Sequence, residues 1–440
     1  MEFQSGSKEG RLLEAQELGA SAILVGTYVE KKAETLLHVE ELASLAETLG
    51  LHSEERIVCP LRAPSAKTFL GKGKVEEIRQ IVQEKKRTLV IFDDEISPPQ
   101  QRNLEKAIGA MVVDRTELII AVFAQRAHTK EAKTQVSLAQ YQYQLPRLTR
   151  LWTHLGRQKV GSGSGGFLKG EGERQIEIDR RLLRSRITRC KKQIQDLEKK
   201  RALTRTKRKR QGMVSFAVVG YTNAGKSTLL NALTDAGVFV EDKLFATLDT
   251  KASSYVLPNQ QKILLIDTVG FIRKLPHGLI AAFKSTLEEA LHADVLLHLL
   301  DASSSNLLEE IEACEAVLKE LGASNKPRIY VLNKTDLPPA KEVHLLRFRC
   351  PGLVKISARE KKGFQELTDA MIERMHHLYK HARFCFHQKE YRYAAKLIEE
   401  GEILSKVYEG DYLIIEANVH DSLKSQLHRF LIKSSPAPSE

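Results

Sequence analysis

The chain alternates short apolar runs with stretches in which apolar residues recur every three or four positions, and this texture changes character twice along its length. Near the start, Ala22-Ile23-Leu24-Val25 has the continuous hydrophobicity of a buried strand, and His38 to Leu49 places Leu42, Leu45 and Leu49 on one helical face. Further strands are expected at Arg56 to Leu61, Thr68 to Leu70, Thr88 to Phe92 and Ala110 to Val113, with helices at Val75 to Lys86, Pro99 to Ile108 and Thr116 to Ala127. Such alternation predicts an α/β domain built on a parallel sheet. From Lys130 the pattern is helical up to Pro146 and then meets Gly161-Ser162-Gly163-Ser164-Gly165-Gly166-Phe167-Leu168-Lys169-Gly170-Glu171-Gly172, which is too glycine-rich to hold one conformation unaided. Beyond it Leu183, Ile187, Cys190, Ile194 and Leu197 repeat at spacings of 4, 3, 4 and 3, the seam of a coiled coil. Two antiparallel helices joined by a mobile glycine loop are therefore expected.

Strand and helix alternate again from Val214 to Val219 through Lys262 to Ile266, Val295 to Leu300, Ile329 to Leu332 and Val354 to Ile356. Past Tyr379, strands at Phe384 to Phe386, Ile403 to Val407 and Tyr412 to Ile415 mix with helices at Tyr391 to Glu400 and Asp421 to Leu431, an α+β module with a frayed end at Ser434 to Pro438. The expected architecture is α/β in four segments: an N-terminal α/β domain (1–128), a long antiparallel helical hairpin (129–212), a second α/β domain (213–380) and a small C-terminal α+β domain (381–440).

Charge sharpens this division. The 440 residues carry a formal net charge of +12. Between Arg180 and Arg210 fifteen basic residues face only Asp196 and Glu198, so one segment carries the whole basic character. A one-signed excess of this kind repels itself unless a polyanion neutralises it, which favours RNA over a merely solvated face. Tyr141, Tyr143, Trp152 and Phe167 lie near the hairpin tip, where they either stack on bases or pack in the core. Five scattered cysteines fit a reducing compartment, and a start without a signal-peptide pattern and a chain without a membrane-length apolar run give a cytoplasmic expectation. A monomer is expected.

Four motifs bear the chemistry. Gly220-Tyr221-Thr222-Asn223-Ala224-Gly225-Lys226-Ser227-Thr228 matches G-x-x-x-x-G-K-[ST] between a strand and a helix. Its backbone N–H groups would cradle phosphate at the positive end of the helix, Lys226 would reach the β and γ phosphates, and Ser227 would ligate Mg²⁺. Asp267-Thr268-Val269-Gly270 ends the next strand; Asp267 would hold the Mg²⁺ shell and the Gly270 N–H would meet a γ-phosphate. In Phe245-Ala246-Thr247-Leu248-Asp249 the hydroxyl of Thr247 is the candidate to close over Mg²⁺, with Thr250 nearby. Asn333-Lys334-Thr335-Asp336 selects the base: the Asp336 carboxylate accepts from guanine N1–H and its exocyclic amine, which adenine cannot supply, so GTP/GDP is favoured over ATP. Lys334 would lie over the base, and the Ala358 N–H of Ser357-Ala358-Arg359 would meet guanine O6. Together the four motifs make residues 213–380 a Ras-like P-loop GTPase domain by expectation, with catalytic weight on Lys226, Thr247 and Gly270. Phe271 stands where many GTPases carry a water-orienting glutamine, so slow intrinsic turnover, completed by a partner, is expected. Gly71-Lys72-Gly73-Lys74 reads as a plain βα turn in preference to an anion-binding one.

The stretch Asp267-Thr268-Val269-Gly270-Phe271-Ile272-Arg273-Lys274-Leu275-Pro276-His277, with Ala282-Phe283-Lys284-Ser285-Thr286-Leu287-Glu288-Glu289 behind it, resembles the HflX-type GTPases of the translation-factor-like class. Phe245 to Asp249, Gly71 to Glu76 and Gln144-Leu145-Pro146-Arg147-Leu148 are similar to other signatures of that family. The resemblance implies GTP-dependent binding to the large (50S) ribosomal subunit through ribosomal RNA, and separation of stalled or idle 70S ribosomes, with the protein partly ribosome-associated. It also raises ATP use by the N-terminal domain, as in a GTP-gated RNA-modification or remodelling accessory. One departure stands out: where the family loop reads Arg-Gly-Pro-Gly-Glu-Thr-Gln-Leu-Glu, this chain has Lys169-Gly170-Glu171-Gly172-Glu173-Arg174-Gln175-Ile176-Glu177.

Overall fold

The computed structural model describes residues 21–85, 88–148, 168–210, 213–234, 244–245, 248, 251–376 and 379–432. By compactness the chain divides into two units: residues 1–195 with 242–248 and 275–283, and residues 196–241, 249–274 and 284–440.

In the first unit β1 (Ser21–Tyr28), β2 (His52–Pro60), β3 (Thr88–Phe92) and β4 (Met111–Asp114) form a parallel sheet in the order β2-β1-β3-β4. Ile23, Val25, Val90, Phe92 and Val112 pack with Val75 and Ile78 of α2 (Lys72–Glu84) and with Leu104 and Ile108 of α3 (Pro98–Ile108). Ala22, Leu24, Leu89 and Ile91, on the opposite face, are equally buried, while α1 (Lys32–Thr48) packs on β1, β2 and α4 (Arg115–Arg126). Burial on both faces is why β1 and β3 read as unbroken apolar runs. Thr68 to Leu70, expected as a strand, forms only an isolated bridge in which Ser65 and Phe69 exchange backbone hydrogen bonds of 2.8 and 2.9 Å. Phe69 there has φ of 61°, a left-handed conformation that ends any ladder.

Side chains fill the carboxyl edge of this sheet. Asp114 ends β4 and caps α4, accepting from the Glu117 N–H at 2.8 Å. Arg147 closes the 3₁₀ turn Leu145–Arg147 after α5 (Lys130–Gln144) and donates to the Asp114 carboxylate at 3.1 Å and to the Ile96 carbonyl at 2.8 Å. Its guanidinium lies 3.6 Å from the centroid of the Tyr143 ring, whose hydroxyl is 3.0 Å from both Asp114 and Glu117. Alongside, Arg115 donates to Asp93 at 2.7 Å and to Glu41 at 2.6 Å. Burial raises the Asp114 carboxyl to about 6, against the lowering by Arg147, and pushes the Tyr143 phenol well above its usual value. Of the two roles open to Tyr143, the structure gives it packing and hydrogen bonding within this unit.

The helix α6 (Leu168–Arg210) begins inside the glycine-rich stretch, so Gly170 and Gly172 are helical, contrary to expectation; residues 149–167, including Trp152 and Phe167 and the connection between the hairpin helices, lie outside the described residues. Its seam is inward: Leu183, Cys190 and Ile194 are buried, with Ile187 and Leu197 half-buried. Arg181, Arg184, Arg186, Arg189, Lys191 and Lys192 are exposed.

The second unit contains a six-stranded sheet in the order β10-β9-β8-β5-β7-β6, formed by β5 (Ser215–Gly220), β6 (Ala252–Val256), β7 (Lys262–Asp267), β8 (Val295–Asp301), β9 (Arg328–Asn333) and β10 (Val354–Lys355). Only β6 runs antiparallel, as an edge strand whose alternating exposure offers no apolar run to read in advance. Phe216, Val218, Leu265, Leu297, Leu299 and Val331 pack with Leu229 and Leu230 of α7 (Lys226–Thr234) and with Leu367 and Met371, fixing where the carboxyl ends of the strands emerge. The last segment is the three-stranded antiparallel sheet Tyr379–His387, Tyr412–His420, Glu402–Glu409, over a core of Phe384, Phe386, Ile415, Leu397 and Leu427.

Candidate functional site

Brought to the carboxyl ends of β5, β7, β9 and β10 are four polar loops of the second unit, where open parallel sheets bind ligands. Gly220 to Gly225 turns directly from β5 into α7. The turn is held by its neighbours as well as by itself: Phe271 donates to the Gly220 carbonyl at 3.0 Å and accepts from the Thr222 N–H at 2.8 Å. Asn223 adopts φ of 62° and Gly225 φ of 93°. At Gly225 a Cβ would collide with the Asn333 amide, so only glycine serves there.

Lys226 is buried and donates to the Tyr221 carbonyl at 2.6 Å. Its ammonium is held below the ordinary lysine value, chiefly by burial, with Asp267 acting in the opposite sense. A cation desolvated in a backbone loop is poised to gain from an anionic ligand. Ser227 donates to Asp267 at 2.9 Å, and both side chains are buried. A hydroxyl and a carboxylate set side by side are the hard oxygen donors that suit Mg²⁺. Thr268 donates to the Val218 carbonyl at 2.6 Å, and Val269 is buried. A Cβ on Gly270 would come within 2.9 Å of Lys226 Nζ, which keeps that position bare beside the ammonium. Phe271 is 1% exposed, its ring committed to the core. Thr228 lies half-buried on α7, and the Thr222 hydroxyl is buried without a hydrogen-bond partner among the described residues.

Asn333 ties two loops together, donating to the Ala224 carbonyl and accepting from the Ala358 N–H, both at 2.9 Å. Thr335 fastens the same region through its hydroxyl to the Ile356 carbonyl at 2.9 Å. Ser357 donates to the Asp336 carboxylate at 2.7 Å, and that hydrogen bond is the main reason the carboxyl lies below the usual range. Asp336 is thus charged and exposed for a donor-bearing base edge, with Arg359, also exposed, adding to the lowering. Of the first-switch candidates, Phe245 and Leu248 belong to the other compact unit, where both are buried and Phe245 meets Phe123 edge-on at 4.6 Å; Ala246 and Thr247 lie outside the described residues.

One residue carries no motif that would mark it in the sequence. Asp301, at the end of β8, forms an ion pair with Lys334 at 2.7 Å. An acid closing an apolar strand was the available signal.

Family profiles match three consecutive stretches: residues 37–124 fit the N-terminal part of GTP-binding GTPases, residues 126–208 their middle region, and residues 215–334 a profile described as 50S ribosome-binding GTPase. The GTPase HflX of Chlamydia pneumoniae is 48% identical over 417 residues, covering 94% of this chain and 88% of that one. The GTPase HflX of Escherichia coli K12 is 41% identical over 366 residues, covering 83% and 85%. A GDP-bound GTP-binding protein from Sulfolobus solfataricus is similar at 25% identity over 82% of this chain and 99% of that one, with a TM-score of 0.42. On sequence identity sustained over most of both chains, this chain belongs to the HflX GTPase family.

Proposed function

We propose that this GTPase binds the large ribosomal subunit in its GTP state, separates stalled or idle 70S ribosomes, and hydrolyses GTP slowly until the ribosome accelerates it. The observation that carries this reading is Phe271. Its buried ring leaves the position after Gly270 without a group to orient the attacking water, so a partner must complete the reaction. Support for the ribosome as that partner comes from the profile description over residues 215–334 and from the exposed, one-signed arginines and lysines of α6.

In this reading residues 1–128 and 381–440 flank a ribosomal-RNA-binding hairpin (129–212) and the nucleotide switch (213–380), in a cytoplasmic monomer. Lys226 neutralises the β and γ phosphate oxygens, and the Gly270 N–H senses the γ-phosphate. Ser227, Asp267 and Thr247 would hold Mg²⁺, which supplies charge neutralisation between the phosphates. Asn333 to Asp336 and Ser357 to Arg359 receive guanine. Steady-state phosphate release with and without purified large subunits tests the proposal, together with sedimentation under a non-hydrolysable GTP analogue and under GDP. At least roughly tenfold acceleration and analogue-dependent co-sedimentation are expected. Unchanged hydrolysis at saturating subunits would remove the ribosome from the mechanism.

A further inference from the structure

Asp301 stands at the end of β8 in register with Asn333 of β9. Its Oδ1 accepts from the Ser303 N–H at 2.9 Å and the Ser303 hydroxyl at 2.7 Å. The next residue, Ala302, donates to the Asn333 carbonyl at 2.9 Å and accepts from Ala340 at 2.7 Å, so the ends of the base-binding loop are tied to the chain just after Asp301. The second carboxylate oxygen takes the Lys334 ammonium at 2.7 Å, with the two side chains 14% and 24% exposed. Lys334 itself adopts φ of 61°, a left-handed conformation that a lysine holds only where its surroundings fix it.

We propose that Asp301 is a positioning residue for guanine nucleotide: it pins the tip of Lys334, so that the aliphatic stem is already laid out as the floor on which the purine stacks. Without the carboxylate the stem must be ordered when the base arrives, which weakens binding by about tenfold. This role rests on the guanine reading of the Asn333 to Asp336 loop, and it goes further by naming a residue outside the loop that sets the loop's affinity. A floor acts on the face of the base and is blind to the groups on its edge. Loss of Asp301 therefore weakens guanosine and inosine diphosphates by the same factor, although inosine lacks the exocyclic amine that Asp336 would accept from.

Fluorescent GDP binding and dissociation in the full-length protein, with unlabelled GDP and IDP as competitors, test the proposal on Asp301→Ala, Asp301→Asn, Lys334→Ala and the Asp301→Ala/Lys334→Ala double variant. Expected are about tenfold faster GDP release in Asp301→Ala, a smaller but measurable loss in Asp301→Asn, equal factors for GDP and IDP, and a double variant no weaker than Lys334→Ala alone. Affinity within about twofold of the parent in both Asp301 variants, or single losses that multiply in the double, overturns it. Should Asp301→Ala fail to fold, Asp301→Asn, which keeps the Ser303 contacts, decides the matter by the same two measurements. If the parent protein itself binds GDP no better than ADP, the guanine reading fails, a result distinct from normal parent binding with indifferent Asp301 variants.

Discussion

Two parallel sheets in this molecule end in different ways at the edge where such sheets bind ligands. In the N-terminal sheet the carboxyl edge is filled by the chain's own cations: Arg115 between Asp93 and Glu41, and Arg147 between Asp114 and the Ile96 carbonyl. In the GTPase sheet the corresponding cation, Lys226, is buried against a backbone carbonyl, with Asp267 raising its pKa only against a larger burial effect. One edge has its charges matched internally; the other holds a desolvated ammonium ready for a phosphate. The topology supplies a crevice in both cases, and the side chains decide whether a ligand is needed to fill it. This comparison weighs against ATP use by the N-terminal sheet, and it gives Gln144 to Leu148 a role: Arg147 ties the chain just past α5, the first hairpin helix, to the sheet.

The sharpest way to break the comparison is Lys226→Ala. Removing the side chain proposed to meet the β and γ phosphates should lower GTP turnover at least roughly a hundredfold, equivalent to about 3 kcal/mol or more of transition-state stabilisation. Analogue-dependent co-sedimentation with large subunits should disappear as well. Single-turnover hydrolysis checks the first outcome, and retained turnover would mean that the loop is not the phosphate site.

On the N-terminal side the matching test is Arg115→Met, which removes the cation that Asp93 and Glu41 share. Breaking a buried pair from one side costs about 3–5 kcal/mol. Urea unfolding followed by exchange of β3 and β4 amides should show that loss. Addition of ATP should leave those amides unchanged in the parent protein; protection by ATP would show that the N-terminal edge is open after all.

What was legible in the sequence follows from the same contrast. The phosphate loop, Asp267 to Gly270 and Asn333 to Asp336 each keep their chemistry within a few consecutive residues, and strand–loop–helix order placed them at one edge. Buried strands were readable because both their faces are apolar. Strand β6 was not, because its alternation is that of a half-exposed edge, and Phe69 ended a strand through a backbone angle that composition does not encode. Asp301 and Arg147 act on residues 33 positions away, on Lys334 and Asp114 respectively, and nothing local marks either side chain as a partner. Helix α6 overran its glycines for a related reason: helix propensity is a weak prior beside the rest of a 43-residue helix.

The smallest effects have opposite signs in the two sheets. His298 of β8 is fully buried, neither ring nitrogen has a hydrogen-bond partner among the described residues, and burial, with Arg328 and Lys226 adding to it, pushes its pKa down to about 3. Its folded value lies below the ordinary 6.5, so the stability it contributes is present above pH 6.5 and is lost as the pH falls towards 3. From about pH 7 to pH 5 the β8 amides should lose about 2 kcal/mol of exchange free energy, and His298→Leu should flatten that slope. Asp114 runs the other way: burial raises its folded value to about 6 from 3.8, so its contribution is complete below pH 3.8 and is lost as the pH rises through 6. The β4 amides should therefore gain about 1 kcal/mol over the same change, from about pH 7 to pH 5. Asp114→Asn, which keeps a side-chain oxygen to accept from Glu117 N–H, should abolish the gain. Slopes of one sign in both sheets would mean that Arg147 outweighs the burial of Asp114, and the two edges would then differ in geometry but not in charge.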